Sequence, residues 1–110
     1  MIVPGDITGT LTAADSVVGG NIEGADHVVF QVTGTWVGTI TFEVSVNGTD
    51  YVAQACKKSS EANATALVTT RTDNGVASIQ TVGVPFFRLR MSAYTSGTAT
   101  VEIHADRIAK

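Results

Sequence analysis

The feature that most constrains the fold is a strict two-residue alternation that ends in a tight-turn sequence. Apolar residues occupy every second position from Ile40 to Val46, and polar residues stand between them. β-Branched and aromatic side chains at period two are typical of a strand with one face in a core and one in solvent. Asn47-Gly48 follows at once, and this pair tolerates the positive φ angles of a hairpin turn. The sequence therefore predicts a β-hairpin whose return strand begins at Tyr51.

The register of this hairpin depends on the length of its loop. A two-residue loop places Val44 opposite Tyr51 and Phe42 opposite Ala53, so that the apolar side chains share one face. A four-residue loop gives the same faces. The hairpin is predicted, and both loop lengths stay open.

The C-terminal part of the chain predicts a second hairpin. Apolar residues alternate from Phe87 to Ala93 and again from Ala99 to Ala105. Between them, Thr95-Ser96-Gly97 is typical of a three-residue loop with a left-handed glycine. The outer-face pairs that result are Arg90 with Glu102 and Arg88 with His104.

These patterns together predict an all-β fold. A further alternating strand runs from His27 to Thr33, and no stretch has helical periodicity. About eight short strands with frequent turns predict an antiparallel β-sandwich that is jelly-roll-like. The in-facing positions of the best strands are expected to be almost fully buried: Phe42, Leu89, Val101 and Ile103.

The N-terminal region is different in composition. Residues 1–26 are rich in Gly and Asp and predict an N-terminal arm with an edge strand, whereas residues 27–110 form the β-sandwich of a single-domain chain. We expect the arm to become ordered only on docking to another protein.

Charge and composition restrict the class of partner. The 110 residues carry a net charge of −3, which disfavours nucleic acid as a partner, and only 15% of them are charged. The acidic residues dominate the first half and the basic residues the second. Either the two halves interleave and their charges mix, or oppositely charged surfaces favour head-to-tail subunit contacts. No apolar run approaches the ~18 residues of a membrane span, and we expect synthesis and assembly in a cytoplasm.

Few residues in the sequence could take part in catalysis or bind a metal ion. His27 and His104 lie on predicted solvent faces, and Cys56 is the single cysteine. Because no acid or second cysteine stands at ligand spacing, we expect no metal site, no catalytic residue and no cofactor. Asn47-Gly48 and Asp73-Asn74-Gly75 are interpreted as turns rather than calcium loops. The chain is not expected to be an enzyme.

Three segments carry a resemblance to a known family. Gly34–Tyr51 has the form G-T-W-x-G-T-x-T-F-E-x-S-x-x-G-T-x-Y, and Phe87–Arg90 and Tyr94–Thr98 supply an R-x-R strand and a T-S-G-T turn. Together these segments, about half of the chain, resemble small β-sandwich structural proteins of tailed-bacteriophage virions. The resemblance implies a virion structural protein and leaves head or tail open.

From the resemblance and the composition we expect a capsid decoration (cement) subunit that stabilises the head lattice by protein–protein contacts. Its expected partners are the major capsid protein or other virion subunits and further copies of itself, with a trimer favoured. Neither nucleic acid nor a membrane is expected as a partner, and the expected location is the virion. The alternatives are a tail or baseplate component, or a carbohydrate-binding module for host attachment. The candidate interface or sugar-facing residues are Trp36, Tyr51, Asp6, Arg88 and Arg90.

Overall fold

The computed structural model describes residues 5–58, 67–81 and 84–106. These residues form β-strands without a helix, so the described chain has no helix that could cross a membrane. The strands are β1 (Gly5–Leu11), β2 (Val17–Asn21), β3 (His27–Ser45), β4 (Val52–Ala53), β5 (Cys56–Lys58), β6 (Leu67–Val68), β7 (Thr70–Arg71), β8 (Gly75–Gln80) and β9 (Phe86–Asp106).

Two long strands form the centre of the sheet. β3 and β9 pair antiparallel along their whole length, from His27 opposite Asp106 to Ser45 opposite Phe86. β1 and β8 flank one half of this ribbon, and β2, β4 and β7 flank the other half. β5 and β6 extend the sheet beyond β8.

The central ribbon bends back on itself. Phe30 and Phe42 lie on one strand, and a straight strand with a rise of ~3.3 Å per residue would hold them ~40 Å apart. Their ring centroids are only 4.9 Å apart, and the Phe87 ring lies 5.5 Å from that of Phe30. The register shifts between Val37 and Ile40 mark β-bulges near the bend, and bulges increase local twist and bending. The two halves of the sheet therefore face each other across one core.

The core consists of the alternating in-facing residues of both halves. Phe42, Leu89, Val101 and Ile103 are each at most 1% exposed, as the sequence predicts. Other large side chains buried with them are Leu11, Ile22, Phe30, Ile40, Phe87 and Met91.

The predicted C-terminal hairpin is wrong. β9 is a single strand of 21 residues, and the predicted loop lies within it, with Ser96 opposite Val37 and Gly97 opposite Trp36. Gly97 has the left-handed φ of 89° that the sequence predicts, but it occupies the bend of a continuous strand. The predicted outer pairs therefore do not form, since Arg88 lies opposite Glu43 on β3. Glu102 lies opposite Thr8 and Gln31, and His104 lies opposite Asp6 and Val29.

The central hairpin is confirmed, but both predicted registers are wrong: Ala53 lies opposite Glu43 and is exposed, so the return strand turns the other face to the core. Val44 pairs with Val52, one position from the predicted Tyr51, and Val46 is 79% exposed rather than core-facing. The Asn47 side-chain oxygen accepts backbone hydrogen bonds from Thr49 and Asp50, both at 2.8 Å. These bonds lengthen the turn, which explains why the predicted register differs from the observed one.

The predicted fold class is correct at the level of an all-β, antiparallel chain, but neither the β-sandwich nor the jelly-roll arrangement is confirmed. The nine strands belong to one hydrogen-bonded sheet. β6 and β7 are separated by Thr69 alone, so the chain passes directly from pairing with β5 to pairing with β3. β3 and β9 each run through both halves of this sheet, whereas a sandwich consists of two separate sheets.

Much of the predicted N-terminal arm belongs to the sheet. Gly5–Leu11 and Val17–Asn21 both pair with β9, and β1 is the edge strand at one end of the strand order. Leu11, Val18 and Ile22 are 0%, 6% and 0% exposed. Ordering of this region only on docking is therefore not supported over residues 5–22. Residues 1–4 of the predicted arm and 107–110 of the predicted domain lie outside the described residues.

Two adjacent substitutions test whether β1 belongs to the core. Leu11→Ala should lower the free energy of unfolding by ~2–5 kcal/mol, because it removes a fully buried side chain. Thr10→Ala changes the exposed neighbour and should cost less than ~0.5 kcal/mol. Urea unfolding followed by circular dichroism measures both changes. Equal stability of the two variants would show that β1 is a dispensable arm.

Candidate functional site

A cluster of charged side chains surrounds Glu43 on the outer side of the β3–β9 ribbon. Arg88 lies directly opposite Glu43, and its Nε donates to Glu43 Oε1 at 2.7 Å. Arg90 lies opposite Thr41, the next outward position, and its Nε donates to Glu43 Oε2 at 2.9 Å. The pairing of β3 with β9 thus places one guanidinium group against each carboxylate oxygen of Glu43.

The cluster extends to two loops. Arg90 Nη1 donates to Asp15 Oδ1 at 2.7 Å, and the Asp15 backbone N–H donates to the Met91 carbonyl at 2.8 Å. On the other side, the Arg88 guanidinium carbon lies 3.8 Å from the centroid of the Tyr51 ring, which is a cation–π contact. We call Asp15, Glu43, Tyr51, Arg88 and Arg90 the Glu43 network.

The Glu43 network is a structural ion cluster rather than a set of free charges. The Glu43 side chain is 7% exposed, and both of its oxygens accept a charged hydrogen bond. Hydrogen bonding to Glu43 raises the pKa of Arg90, which keeps this guanidinium charged. A carboxylate held this way is poorly placed to accept a substrate proton, because its lone pairs already face two cations.

A second cluster fixes Trp36 at the bend of the ribbon. The Trp36 indole Nε1 donates to Asn74 Oδ1 at 2.7 Å, and Asn74 Nδ2 donates to the Gly34 carbonyl at 2.9 Å. Arg71, buried beneath the loop, donates to the backbone carbonyls of Asp73 and Asn74 at 2.8 and 2.9 Å. A cleft of about 250 Å³ opens here, and we call it the Trp36 cleft; its lining residues are Gly34, Thr35, Trp36, Thr72, Asp73 and Asn74.

A third polar group lies on β1 and β9. Asp6 and His104 are opposite one another, and their Oδ1 and Nδ1 atoms are 2.6 Å apart. Both side chains are more than half exposed. Among the described residues, no group of three or more His, Cys, Asp or Glu side chains has a geometry that could hold a metal ion.

Cys56 is a free thiol that the fold keeps neutral. It is fully buried, and burial raises its pKa to about 12. The thiol donates to the Gln54 carbonyl at 3.6 Å. Cys56 and His27 both line a groove beside β5. The thiol is nevertheless held as a buried apolar group rather than as a thiolate nucleophile.

The structure brings together three of the five candidate residues. Tyr51, Arg88 and Arg90 belong to the Glu43 network, whereas Trp36 lies opposite Gly97 at the bend and Asp6 pairs with His104. Trp36 packs against the core, whereas Tyr51 contacts Arg88 on the outer face of the ribbon, so the two rings do not share a concave face.

Sequence reasoning missed Asp15, Glu43, Arg71 and Asn74. The alternation does place Glu43 on the polar face of its strand, but its two arginine partners become visible only once β3 is paired with β9. No signal in the sequence marks Arg71 as a buried cation. The acidic residues of the first half do meet basic residues of the second, so the alternative in which the charges mix agrees with the structure.

The fold is similar to that of a prophage-derived protein of known structure. No family model matches the sequence, and no curated protein matches it. A crystal structure of the SPBc2 prophage-derived protein YomS is similar, with a TM-score of 0.64. The similarity covers 96% of this chain and 99% of YomS at 10% sequence identity. The two chains share a fold over nearly their full length.

Neutralising Glu43 should destabilise the fold. Glu43→Gln leaves two guanidinium groups facing an amide and should lower the free energy of unfolding by ~1–3 kcal/mol. Glu102→Gln makes the same change at an exposed position and should stay within ~0.5 kcal/mol of the parent. Chemical denaturation of both variants provides the comparison. A Glu43→Gln protein as stable as the Glu102→Gln protein would contradict a stabilising role for the network.

The buried thiol should make stability depend on alkaline pH. Because the folded pKa of about 12 lies above the ordinary value of 9.0, the contribution of Cys56 is complete below 9.0 and is lost as pH rises towards 12. In that window its loss should approach ~1.4 kcal/mol per pH unit. Urea unfolding on both sides of pH 9.0 should show a shallower alkaline slope for Cys56→Ala than for the parent. Identical slopes would mean that the thiol ionises equally well in the folded chain.

Proposed function

We propose that this chain is a structural protein of a bacteriophage particle, and specifically a decoration subunit that binds the outside of the capsid. The observation that carries the proposal is the end-to-end fold similarity to a prophage-derived protein of almost equal extent. The resemblance of Gly34–Tyr51, Phe87–Arg90 and Tyr94–Thr98 to virion β-proteins supports the same class of function.

The described surface suits adhesion better than catalysis. The charges of Asp15, Glu43, Arg88 and Arg90 neutralise one another within the Glu43 network, and the one cysteine is kept as a neutral thiol. We propose on this basis that the chain acts by binding and not by turnover. Its action would be to connect neighbouring shell subunits, so that those contacts must break before the shell opens.

The best candidate for the adhesive surface is at the central hairpin. Val46 and Val52 flank the Asn47 turn and are 79% and 64% exposed. Tyr51, between them in sequence, is half-buried against Arg88. We call Val46, Tyr51 and Val52 the hairpin patch. Complete burial of one valine side chain contributes about 1.5–3 kcal/mol, so even a small patch repeated over many copies adds appreciable stability.

The proposed partners of the hairpin patch are the major capsid protein or another virion subunit. A homotrimer is the proposed assembly state, because three copies around a lattice axis present three patches at once. Multiple weak contacts of this kind gain affinity through effective concentration rather than through one large interface.

The experiment is to locate the chain in purified particles and then to change the hairpin patch. Cryo-electron microscopy of particles made with and without the gene should show extra density on the head, and particles lacking the chain should open at a lower temperature. A matched pair of variants tests the surface: Val46→Asp should lower occupancy on the head, whereas Val37→Asp, 55% exposed at the bend, should not.

Three outcomes would revise or overturn the proposal. Density on the tail or baseplate would agree with a virion structural protein but would exclude the decoration role. Equal occupancy of the Val46→Asp and Val37→Asp proteins would reject the hairpin patch as the attachment surface. Absence of the chain from purified particles would overturn the structural role itself.

A further inference from the structure

β1 (Gly5–Leu11) presents an open hydrogen-bonding edge. It lies at one end of the strand order and pairs with β9 on one side, and among the residues that the structure describes no strand pairs with its other side. In an antiparallel pair, alternate residues direct both the backbone N–H and the C=O towards the partner, and the others direct theirs away. About half of the backbone polar groups of β1 therefore point away from β9 and can pair with a further strand.

The edge of β1 lacks the usual devices that prevent edge-to-edge pairing. Proteins commonly protect an edge with lysine, proline, a β-bulge or a very short strand. β1 is seven residues long, and its sequence Gly-Asp-Ile-Thr-Gly-Thr-Leu contains neither lysine nor proline. Its register with β9 runs from Gly5 opposite Ala105 to Leu11 opposite Ala99 without a bulge. β1 is therefore a suitable template for the addition of another strand.

β1 can pair with β1 of a second copy in one favourable register. Antiparallel strands that are related by a two-fold axis present the same faces, so outward-facing residues meet outward-facing residues. With the axis at Thr8, all seven residues of β1 overlap, and Thr8 lies opposite Thr8 of the second copy. Moving the axis to the neighbouring residue on either side removes two of the seven pairs.

This register keeps like charges apart. Asp6 is the only charged residue in the sequence of β1, and it lies opposite the uncharged Thr10 of the second copy. Within its own chain, Asp6 contacts His104, with 2.6 Å between Oδ1 and Nδ1. At the axis, the opposed hydroxyl groups of the two Thr8 side chains form a favourable cross-strand pair. No charged residue of β1 therefore faces another one across the contact.

The core side of β1 also suits a second copy. Ile7 is half-buried and packs against the core. In the two-fold register it lies opposite Gly9 of the second copy, and glycine has no side chain to obstruct it. Val18 fills the space over Gly9, because a Cβ at Gly9 would stand 2.9 Å from Val18 Cγ2. Pairing therefore covers the exposed part of Ile7 and brings it towards Val18 of the second copy, which buries further apolar surface.

We propose that β1 is an interface between two copies of this chain, which pair antiparallel about a two-fold axis at Thr8 and form one sheet across both molecules. Main-chain hydrogen bonds give such a contact its affinity, and the side-chain pairs set its register. The contact goes beyond the proposed function. Because a two-fold contact cannot close a trimer, it would link one proposed trimer to the next rather than hold a trimer together.

A cysteine at the axis tests the register. Thr8→Cys places thiols on directly opposed residues, whose Cα atoms lie about 4.5–5.5 Å apart in an antiparallel pair and can be joined by a disulfide. Thr10→Cys, at an equally exposed position, is the matched control, because its two thiols lie about 13 Å apart along the strands. Cys56 is buried and does not compete. Under mild oxidation, non-reducing electrophoresis should show covalent dimer forming about tenfold faster for Thr8→Cys.

Charge variants test the same contact without a covalent bond. Thr8→Lys places two like charges directly opposite each other and should weaken self-association about fivefold. Thr10→Lys adds the same charge but places it opposite Asp6 of the second copy, so this protein should associate at least as tightly as the parent. Sedimentation velocity over a range of concentrations measures the association, and thermal melts of dilute samples show that folded proteins are compared.

The proposal is overturned if the Thr8→Cys protein forms covalent dimer no faster than the Thr10→Cys protein. It is also overturned if the Thr8→Lys and Thr10→Lys proteins associate equally tightly. Neither result affects the proposed virion role, because that role is tested by the location of the chain in purified particles.

Discussion

Backbone hydrogen bonding between two strands that are distant in sequence is the constraint on which the rest of this structure depends. β3 and β9 pair over 19 and 21 residues, and every other part of the sheet is attached to this ribbon directly or through β8. The bend of the ribbon turns one ladder into two facing layers, and the contacts among Phe30, Phe42 and Phe87 join those layers. A single core is thus built from residues that a straight ribbon would keep far apart.

The outer side of the same ladder explains how the charges are arranged. The register that places Phe42 opposite Leu89 in the core also places Glu43 opposite Arg88 on the other face. Once Arg90 and Asp15 join them, two acids and two bases neutralise one another, and little net charge remains at this surface. We therefore propose the exposed, apolar hairpin patch, rather than the arginines, as the surface for contact with another protein.

The sequence predicted local structure well and pairing partners poorly, for a physical reason. Alternation reports which face of a strand a residue occupies, and in this way Phe42, Leu89, Val101 and Ile103 were correctly assigned to the core. The alternation does not indicate which other strand pairs with it. Thr95-Ser96-Gly97 has the residues of a hairpin loop, yet the same left-handed glycine serves equally well inside a bent strand. The Glu43 network and the buried Arg71 depend on such long-range pairings, so local patterns could not reveal them.

The long ladder also has a consequence for how the chain acquires its structure. Partners in β3 and β9 are between 41 and 79 positions apart, and β1 and β2 pair with β9 as well. Contacts between distant segments slow folding, because the loop between them must close before its entropy is repaid. During synthesis, β3 therefore remains without its main partner until β9 has emerged from the ribosome. The apolar strands made before β9 stay without this partner for that time, and exposed apolar strands of this kind are prone to aggregate.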